Sequence, residues 1–526
     1  MTYLNIFSRT TTPATPQALP ILGTVVNAAG GYSFPVDDWA RLERFLILGS
    51  EGGSYYAGER VLTHDNAQAV LRAIAADGAR AVGRIVAISE SGRAPKNDPA
   101  LFALALAASA SDLATRRAAL GALPRVARTG THLFQFAGFI KGSRGWGRAL
   151  RRAIATWYTT QPVEKLAYQL VKYRQRGGWS HRDLLRLAHP ETAEPARAAL
   201  LDWVCRGTDG AALPALVRAA DELARAENGT VAAALIRAAN LPREAVPTAL
   251  LNDPAVWEAL LERMPIAALV RSLAKLTAVG VLKPLGDNVP VVLSALGDAE
   301  RIAKARLHPL AILLALRTYV QGHGERGGLQ WEPVQVVVDG LNAAFYTAFK
   351  TVEPTGKRLL LALDVSGSMS MGRVAGSSLT PREASAAMAL MTAATEANTQ
   401  IVGFANELVP LPLSPSMRLD DAVHAVSGLP FGGTDCAQPM LYALERGLKV
   451  DAFVVYTDCE TWAGSIHPVQ ALRQYRAQTG IAAKLVVVGM VSNGFSIADP
   501  DDAGMLDVVG FDTATPAVIA DFIRQD

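Results

Sequence analysis

Residues 357–370 read KRLLLALDVSGSMS, and this stretch decides the fold of the C-terminal part of the chain. Leu359 to Val365 is almost continuously apolar, as expected of a strand buried on both faces of a parallel sheet. A loop follows, and then Thr380-Pro381-Arg382-Glu383. That tetrad is a capping box with proline at the first helical position, which predicts a helix through about Asn398. Further strands are predicted at Gln400 to Phe404, Ala452 to Thr457 and Lys484 to Gly489. Helices are predicted at Cys436 to Gly447, Pro468 to Thr479 and Pro516 to Arg524. Strands alternating with helices specify a doubly wound α/β sheet covered on both faces, here over residues 351–526.

Ligands of such sheets bind beyond the carboxyl ends of the strands. Three polar clusters fall on that edge: Asp364-Val365-Ser366-Gly367-Ser368, Gly432-Gly433-Thr434-Asp435, and Thr457-Asp458. Asp364, Ser366, Ser368, Thr434 and Asp458 would supply two carboxylates and three hydroxyls. Hard oxygen donors of this kind suit a divalent cation, Mg²⁺ above all, held with several waters. An open position on the ion could accept a carboxylate from a partner protein. The order D-x-S-x-S, Thr, Asp resembles the metal-ion-dependent adhesion site of von Willebrand factor A domains. Two plainer readings stand beside it: a capped strand end with incidental hydroxyls, and a motif kept but not used for ligand binding.

From about Asp37 to Phe349 the pattern changes. Apolar residues recur at three- and four-residue spacing, broken by Gly, Pro, Asp or Asn. Helices are predicted at Asp37 to Leu48, Ala67 to Ala75, Pro99 to Ala108, Arg148 to Tyr158, Glu164 to Arg176 and His308 to Tyr319. An all-α array of stacked helix pairs over 37–350 is the natural architecture, with a compact multi-helix globule as the alternative. Residues 1–36 read as an N-terminal extension. No apolar run reaches the roughly 18 residues of a membrane helix, so no membrane association is expected. The start of the chain does not resemble a secretory signal. Cys205, Cys436 and Cys459 are scattered and form no CxxC pair, which argues for thiols in a reducing compartment and a cytoplasmic protein.

The net charge of +3 hides an asymmetry. Residues 1–350 carry 40 Lys and Arg against 29 Asp and Glu, whereas residues 351–526 carry 11 against 19. Between 116 and 186 there are 15 basic residues and only two acids, Glu164 and Asp183. On a helical wheel Arg148, Arg151 and Arg152 share one face, opposite Leu150, Ile154 and Trp157. Lys165, Lys172 and Arg176 share a face of the next predicted helix, with Arg174 pointing away. The segment Gly177 to Arg182, with Trp179 and His181, reads as a loop beside them. Lys141 and Arg144 extend the basic stretch on its N-terminal side. Guanidinium forks bind phosphates, and aromatics or histidine stack on unpaired bases. Soluble surfaces normally mix signs, so this one-sided stretch favours nucleic-acid binding over a solvated face. RNA is favoured over DNA because no zinc finger, zipper or helix-turn-helix signature appears.

These residues carry a resemblance. RFLILGSEGGSYY (44–56), DPALFALAL (98–106), THLFQF (131–136), GWGRALRRAIATWY (145–158), KYRQRGGWSHRDLLRLAHP (172–190) and MPIAALVRSLAKLT (264–277) resemble the Ro autoantigen family. So do KTVEPTGKRLLLALDVSGSM (350–369) and SNGFSIADPDD (492–502). Members combine a TROVE module of helical, HEAT-like repeats with a C-terminal von Willebrand A domain. The resemblance implies a ring of repeats closed by the A domain, with a hole for a single-stranded RNA 3′ end. It also implies binding of small noncoding Y RNAs on an outer basic surface, in competition with misfolded or precursor RNA. Lys172, Arg174, Arg176 and His181, with Arg182 beside them, fall on the family's RNA-contact segment, and Arg148, Arg151 and Arg152 on the neighbouring basic helix. Bacterial relatives associate with an exoribonuclease, polynucleotide phosphorylase. The expected protein is a noncatalytic, monomeric RNA binder in RNA quality control. A protein-interaction scaffold is the rival, and a metal-dependent nuclease is disfavoured for want of a second metal or a general base. Residues 1–30 and 191–260 depart from the family pattern, which leaves RNA contacts there undefined.

Overall fold

Among the described residues there are eleven strands, four of them at the predicted positions, and a long series of helices. The computed structural model describes residues 14–143, 145–324, 328–349, 353–409, 411, 413, 414, 417–427, 429 and 432–525. The predicted helices are present as Asp38–Leu48, Glu59–Ala76, Asp98–Ala108, Arg148–Thr159 and Pro309–Val320. Asp37 caps the first by accepting from the Ala40 amide, which fixes where the helical module begins. Successive helices pack on near neighbours in the chain, from Asp38–Leu48 to Gln335–Thr347.

The array also closes on itself. His308 is buried, with Nε2 3.1 Å from the Arg93 carbonyl oxygen and 2.8 Å from that of Phe511 in the A domain. The A domain touches both ends of the helical array. Arg44 and Arg93 pair with Asp507 and Asp512, while Arg317 pairs with Glu383 and Asp339 with Arg418. Contacts therefore run in a closed circuit from the first helix, around the array, through the A domain and back.

The strands are β1 (Val25–Val26), β2 (Tyr32–Pro35), β3 (Gln175–Arg176), β4 (Trp179–Ser180), β5 (Leu359–Asp364), β6 (Thr399–Phe404), β7 (Leu408–Val409), β8 (Ala452–Thr457), β9 (Lys484–Gly489), β10 (Phe495–Ser496) and β11 (Met505–Val509). The A-domain sheet has the order β11-β9-β8-β5-β6-β7, parallel except for the edge strand β7. Alternate residues of the central strands enter different cores. Leu359, Leu361, Leu363, Val454 and Val486 meet Ala387, Leu390 and Ile519. Leu360, Ala362, Phe453, Val455 and Leu485 meet Met440, Val469 and Leu472. The capping box forms as predicted, and its helix runs Pro381–Thr395.

One expectation needs correction here. The helix predicted over 164–176 is Val163–Lys172; Gln175 and Arg176 instead form β3, paired antiparallel with β4. The intervening Gly177 and Gly178 have φ of 57° and 77°, the conformation of a two-residue hairpin turn, which overrides the helical period. The described part of the N-terminal extension is tied to the A domain. β2 pairs with β1 and with β10, so residues 25–35 join the A domain's edge. Gln17 and Asn27 are buried there, and a Cβ on Gly31 would stand 2.0 Å from the Thr461 carbonyl oxygen.

Candidate metal centre and nucleic-acid interface

The five metal candidates lie on the edge of the sheet where β5 and β8 end, and Asp364, Ser366, Ser368 and Asp458 face one another there. Asp364 ends β5, Ser366 and Ser368 lie in the loop after it, Thr434 precedes the helix Gln438–Glu445, and Asp458 follows β8. All five are buried. The Asp364 carboxylate accepts from the Ser366 amide at 2.9 Å and from Thr457 Oγ1 at 2.6 Å. Ser366 and Ser368 hydroxyls stand 3.1 Å apart, and Asp458 accepts from the Glu460 amide at 3.1 Å. Arg382 holds the loop by donating to the carbonyls of Val365 and Ser366.

Burial pushes both carboxyl groups up, and at Asp458 the charge of Asp364 adds to the effect. Two carboxylates brought together out of water form a site whose electrostatics a divalent cation would relieve. The donors are all hard oxygens, so the residues present fit Mg²⁺ or a similar ion. Around them lies a layer that sequence reading missed. Gln17 donates to Asp435 at 2.6 Å, the amides of Ala28 and Ala29 donate to Glu460, and Asn493 donates to the Asp458 carbonyl at 2.7 Å. Gln17, Ala28 and Ala29 come from sequence positions that carry no local motif, whereas Asn493 lies in the SNGFSIADPDD stretch.

The basic strip is assembled by three neighbouring elements. Helix Arg148–Thr159 buries Leu150, Ala153, Ile154, Trp157 and Tyr158 and exposes Arg148, Arg151 and Arg152, as its wheel predicts. Arg174, Arg176 and Arg182 are exposed on and beside the β3–β4 hairpin, and Arg174 and Arg182 border one cavity of about 190 Å³. Lys141 lies 5.8 Å from the centre of the half-buried Trp179 ring, which packs 5.4 Å from Trp146. Arg144 lies outside the described residues. Among the described cations of 116–186, only Arg125 forms an ion pair, with Glu90. Asp183 is occupied by the Ser180 capping box. The strip therefore keeps its charge.

His181 is a correction. It is 2% exposed, with its ring nitrogen Nδ1 2.8 Å from the Tyr158 hydroxyl and its ring packed on Phe134 and Trp157. It is therefore a packing residue and not a surface for base stacking. Gly130 is required beside it, since a Cβ there would stand 2.8 Å from His181 Nε2. Burial lowers the His181 pKa to about 3, and those of His132 and His308 to about 4. A histidine that resists protonation when folded contributes stability above its unfolded pKa of about 6.5, and that stability is lost as pH falls toward the folded value. Urea unfolding at pH 7 and pH 5 should show a loss of about 2 kcal/mol per such histidine. In His181→Gln that share of the acid slope should vanish; an unchanged slope would mean the ring is accessible to water.

Lys172 also has company that the sequence did not suggest. It lines a cleft of about 480 Å³ together with Tyr168, Arg243, Arg263 and Arg271, contributed by segments some 70 to 100 residues further on. Arg243, Arg263 and Arg271 are exposed and make no ion pair among the described residues. Only their isolated positive charges could have signalled them.

Comparison with known proteins matches both modules. The TROVE domain matches residues 25–210 and 239–318, and the Ro60 vWA domain matches residues 358–523. The unmatched gap lies within the divergent middle stretch. The RNA-binding protein RO60 of Deinococcus radiodurans is 45% identical over 509 residues, covering 95% of this chain and 96% of its own. The RNA-binding protein RO60 of Caenorhabditis elegans is 39% identical over 582 residues, covering 95% and 90%. Among solved structures, the crystal structure of the Deinococcus radiodurans Ro protein superposes with a TM-score of 0.70 at 44% identity, covering 93% of this chain and 99% of that one.

Proposed function

The chain belongs to the Ro60 family, a TROVE domain joined to a von Willebrand A domain, and from that premise we propose that it is a noncatalytic RNA-binding protein of RNA quality control. It binds small Y RNAs on the strip formed by Lys141, Arg148, Arg151, Arg152, Lys172, Arg174, Arg176 and Arg182. Misfolded or precursor RNAs are held by the same charge, with their single-stranded 3′ ends within the helical circuit. The protein acts as a cytoplasmic monomer and delivers those ends to an exoribonuclease such as polynucleotide phosphorylase. The observation that carries this reading is a strip of cations without acidic partners, set beside the half-buried rings of Trp146 and Trp179. Phosphates supply the missing counter-charge and single-stranded bases supply the stacking partners.

Asp364, Ser366, Ser368, Thr434 and Asp458 hold Mg²⁺ in the A domain. When bound, the ion supplies positive charge to a buried acidic site. Phosphodiester hydrolysis needs an activated water and a stabilised leaving oxygen, and the basic strip offers neither, since Glu164 is isolated and Asp183 is committed to a helix cap. The test uses labelled RNA with a single-stranded 3′ tail, incubated with the protein and Mg²⁺, with and without polynucleotide phosphorylase. The protein alone should leave the RNA intact, and the pair should give a degradation pattern different from that of the exoribonuclease alone. Shortening by the protein alone, abolished in Asp364→Ala, would overturn the noncatalytic assignment. An unchanged pattern in the pair would remove the exoribonuclease partnership.

A further inference from the structure

The cleft beside Lys172 gathers positive charge from four separate elements. Lys172 ends the helix Val163–Lys172, Arg243 opens the short helical turn Arg243–Ala245, Arg263 follows the helix Pro254–Leu261, and Arg271 lies on the helix Ile266–Ala278. Leu241, Met264 and Ala268 give the same cleft an apolar lining. Three of the cations are held by uncharged neighbours. The Arg243 guanidinium lies 5.8 Å from the centre of the buried Trp257 ring, Arg271 Nε donates to the Ala267 carbonyl at 2.8 Å, and Lys172 Nζ donates to the Tyr168 hydroxyl at 3.3 Å. The one acid that borders the cleft is Glu244, and the three arginines form no ion pair among the described residues. Four cations against one acid leave three positive charges over. Like charges gathered around one concavity repel, so the fold holds an arrangement that an anion would relieve.

The shape of the site selects among anions. Phosphates within an RNA strand are spread along it, one charge at a time, which suits the open face of Arg148, Arg151 and Arg152. A 5′ polyphosphate concentrates its charge in one place, since the terminal group alone carries about −1.5 to −2 at pH 7 and the inner groups add to it. The cleft volume of about 480 Å³ falls in the range of roughly 300 to 1,000 Å³ that encloses a small ligand. We infer that this cleft binds a nucleotide polyphosphate, with the phosphates among Lys172, Arg243, Arg263 and Arg271 and the ribose or base against the apolar lining. Guanidinium forks match phosphate oxygens in pairs, which a lysine-only site would not. The same chemistry is carried by the 5′-triphosphate end of an unprocessed RNA and by a free nucleoside triphosphate. The RNA end is favoured because Lys172 belongs both to this cleft and to the basic strip, so a strand on the strip has its end within reach. That choice of source rests on the RNA-binding reading; the polyphosphate site itself does not.

The experiment measures binding of the full chain, at one fixed salt concentration, to a single RNA sequence prepared with a 5′-triphosphate or a 5′-hydroxyl, and to ATP by titration calorimetry. Wild type should bind the triphosphate-ended RNA at least about tenfold more tightly, the effect of one hydrogen bond to a charged group. In Arg243→Gln with Arg271→Gln that preference should disappear, while affinity for the hydroxyl-ended RNA stays near that of wild type. Both side chains are exposed, so the thermal melt should hold, and Arg263→Gln provides a second variant expected to reduce the preference. ATP should compete with the triphosphate-ended RNA and bind the double variant more weakly. Equal affinity for the two RNA ends together with no ATP binding overturns the polyphosphate site and leaves the RNA reading standing. ATP binding that the double variant loses, without a preference between RNA ends, assigns the cleft to free nucleotide. A preference for the triphosphate end that survives in the double variant places that end elsewhere and overturns the site. If neither RNA binds, the RNA reading falls, and ATP binding lost in the double variant decides the cleft alone.

Discussion

Raising salt from 50 to 200 mM should weaken binding of a structured RNA by about a thousandfold, if six phosphates are neutralised on the strip from Arg116 to Arg186. The expectation follows from charge that the fold leaves uncompensated. In that stretch the described cations other than Arg125 have no acidic partner. Each one that meets a phosphate releases a counterion, and the logarithmic slope against salt grows by about 0.9 per contact on duplex RNA and less on single strands. Replacing Arg148, Arg152, Arg174 and Arg176 by alanine should flatten that slope by three to four, roughly, and leave the thermal melt almost unchanged because all four side chains are exposed. A filter-binding titration insensitive to salt would remove the RNA reading and favour a protein scaffold. A large drop in melting temperature would show that these arginines support the fold instead.

The second large effect concerns the junction between modules. Arg44 is fully buried on the first helix and donates to both oxygens of Asp507 at 2.6 Å and to the Phe495 carbonyl at 2.8 Å. Asp507 accepts in addition from Ser496 Oγ at 2.6 Å. Removing one member of a buried ion pair costs about 3 to 5 kcal/mol, because the partner is left uncompensated, whereas replacing both by apolar groups can be neutral. Arg44→Met should therefore separate the unfolding of the helical module from that of the A domain, and Arg44→Met with Asp507→Leu should restore much of the loss. Scanning calorimetry reads both outcomes. If Arg44→Met melted like wild type, the pair would not be what joins the modules.

Much of the A domain was legible in the sequence. The bounds of β8 and β9 and of the helix Pro468–Thr479 coincide with the predicted ones, since buried parallel strands are continuous apolar runs and Gly480 ends the helix in a left-handed turn. The positions of Asp364, which ends β5, and Asp458, which follows β8, were legible for the same reason, since the strand order alone carries both to one edge. The exposed face of helix Arg148–Thr159 was legible because helical period is a local property.

What the sequence could not determine are pairings between distant segments. Arg44 and Asp507 lie 463 residues apart, and nothing local distinguishes Arg44 from a solvated arginine. His181, flanked by Ser180, Arg182 and Asp183, reads as a surface residue; only the packing of Phe134, Trp157 and Tyr158 around it makes it part of the core. The N-terminal residues look like a tail until β2 finds β10, and Lys172 looks like the end of a strip until the turn of the array brings Arg243, Arg263 and Arg271 around its cleft. Periodicity and composition report which way a side chain faces within its own element. The identity of what it meets depends on the path of the whole chain, and that path was decided by the closing of the helical circuit on the A domain.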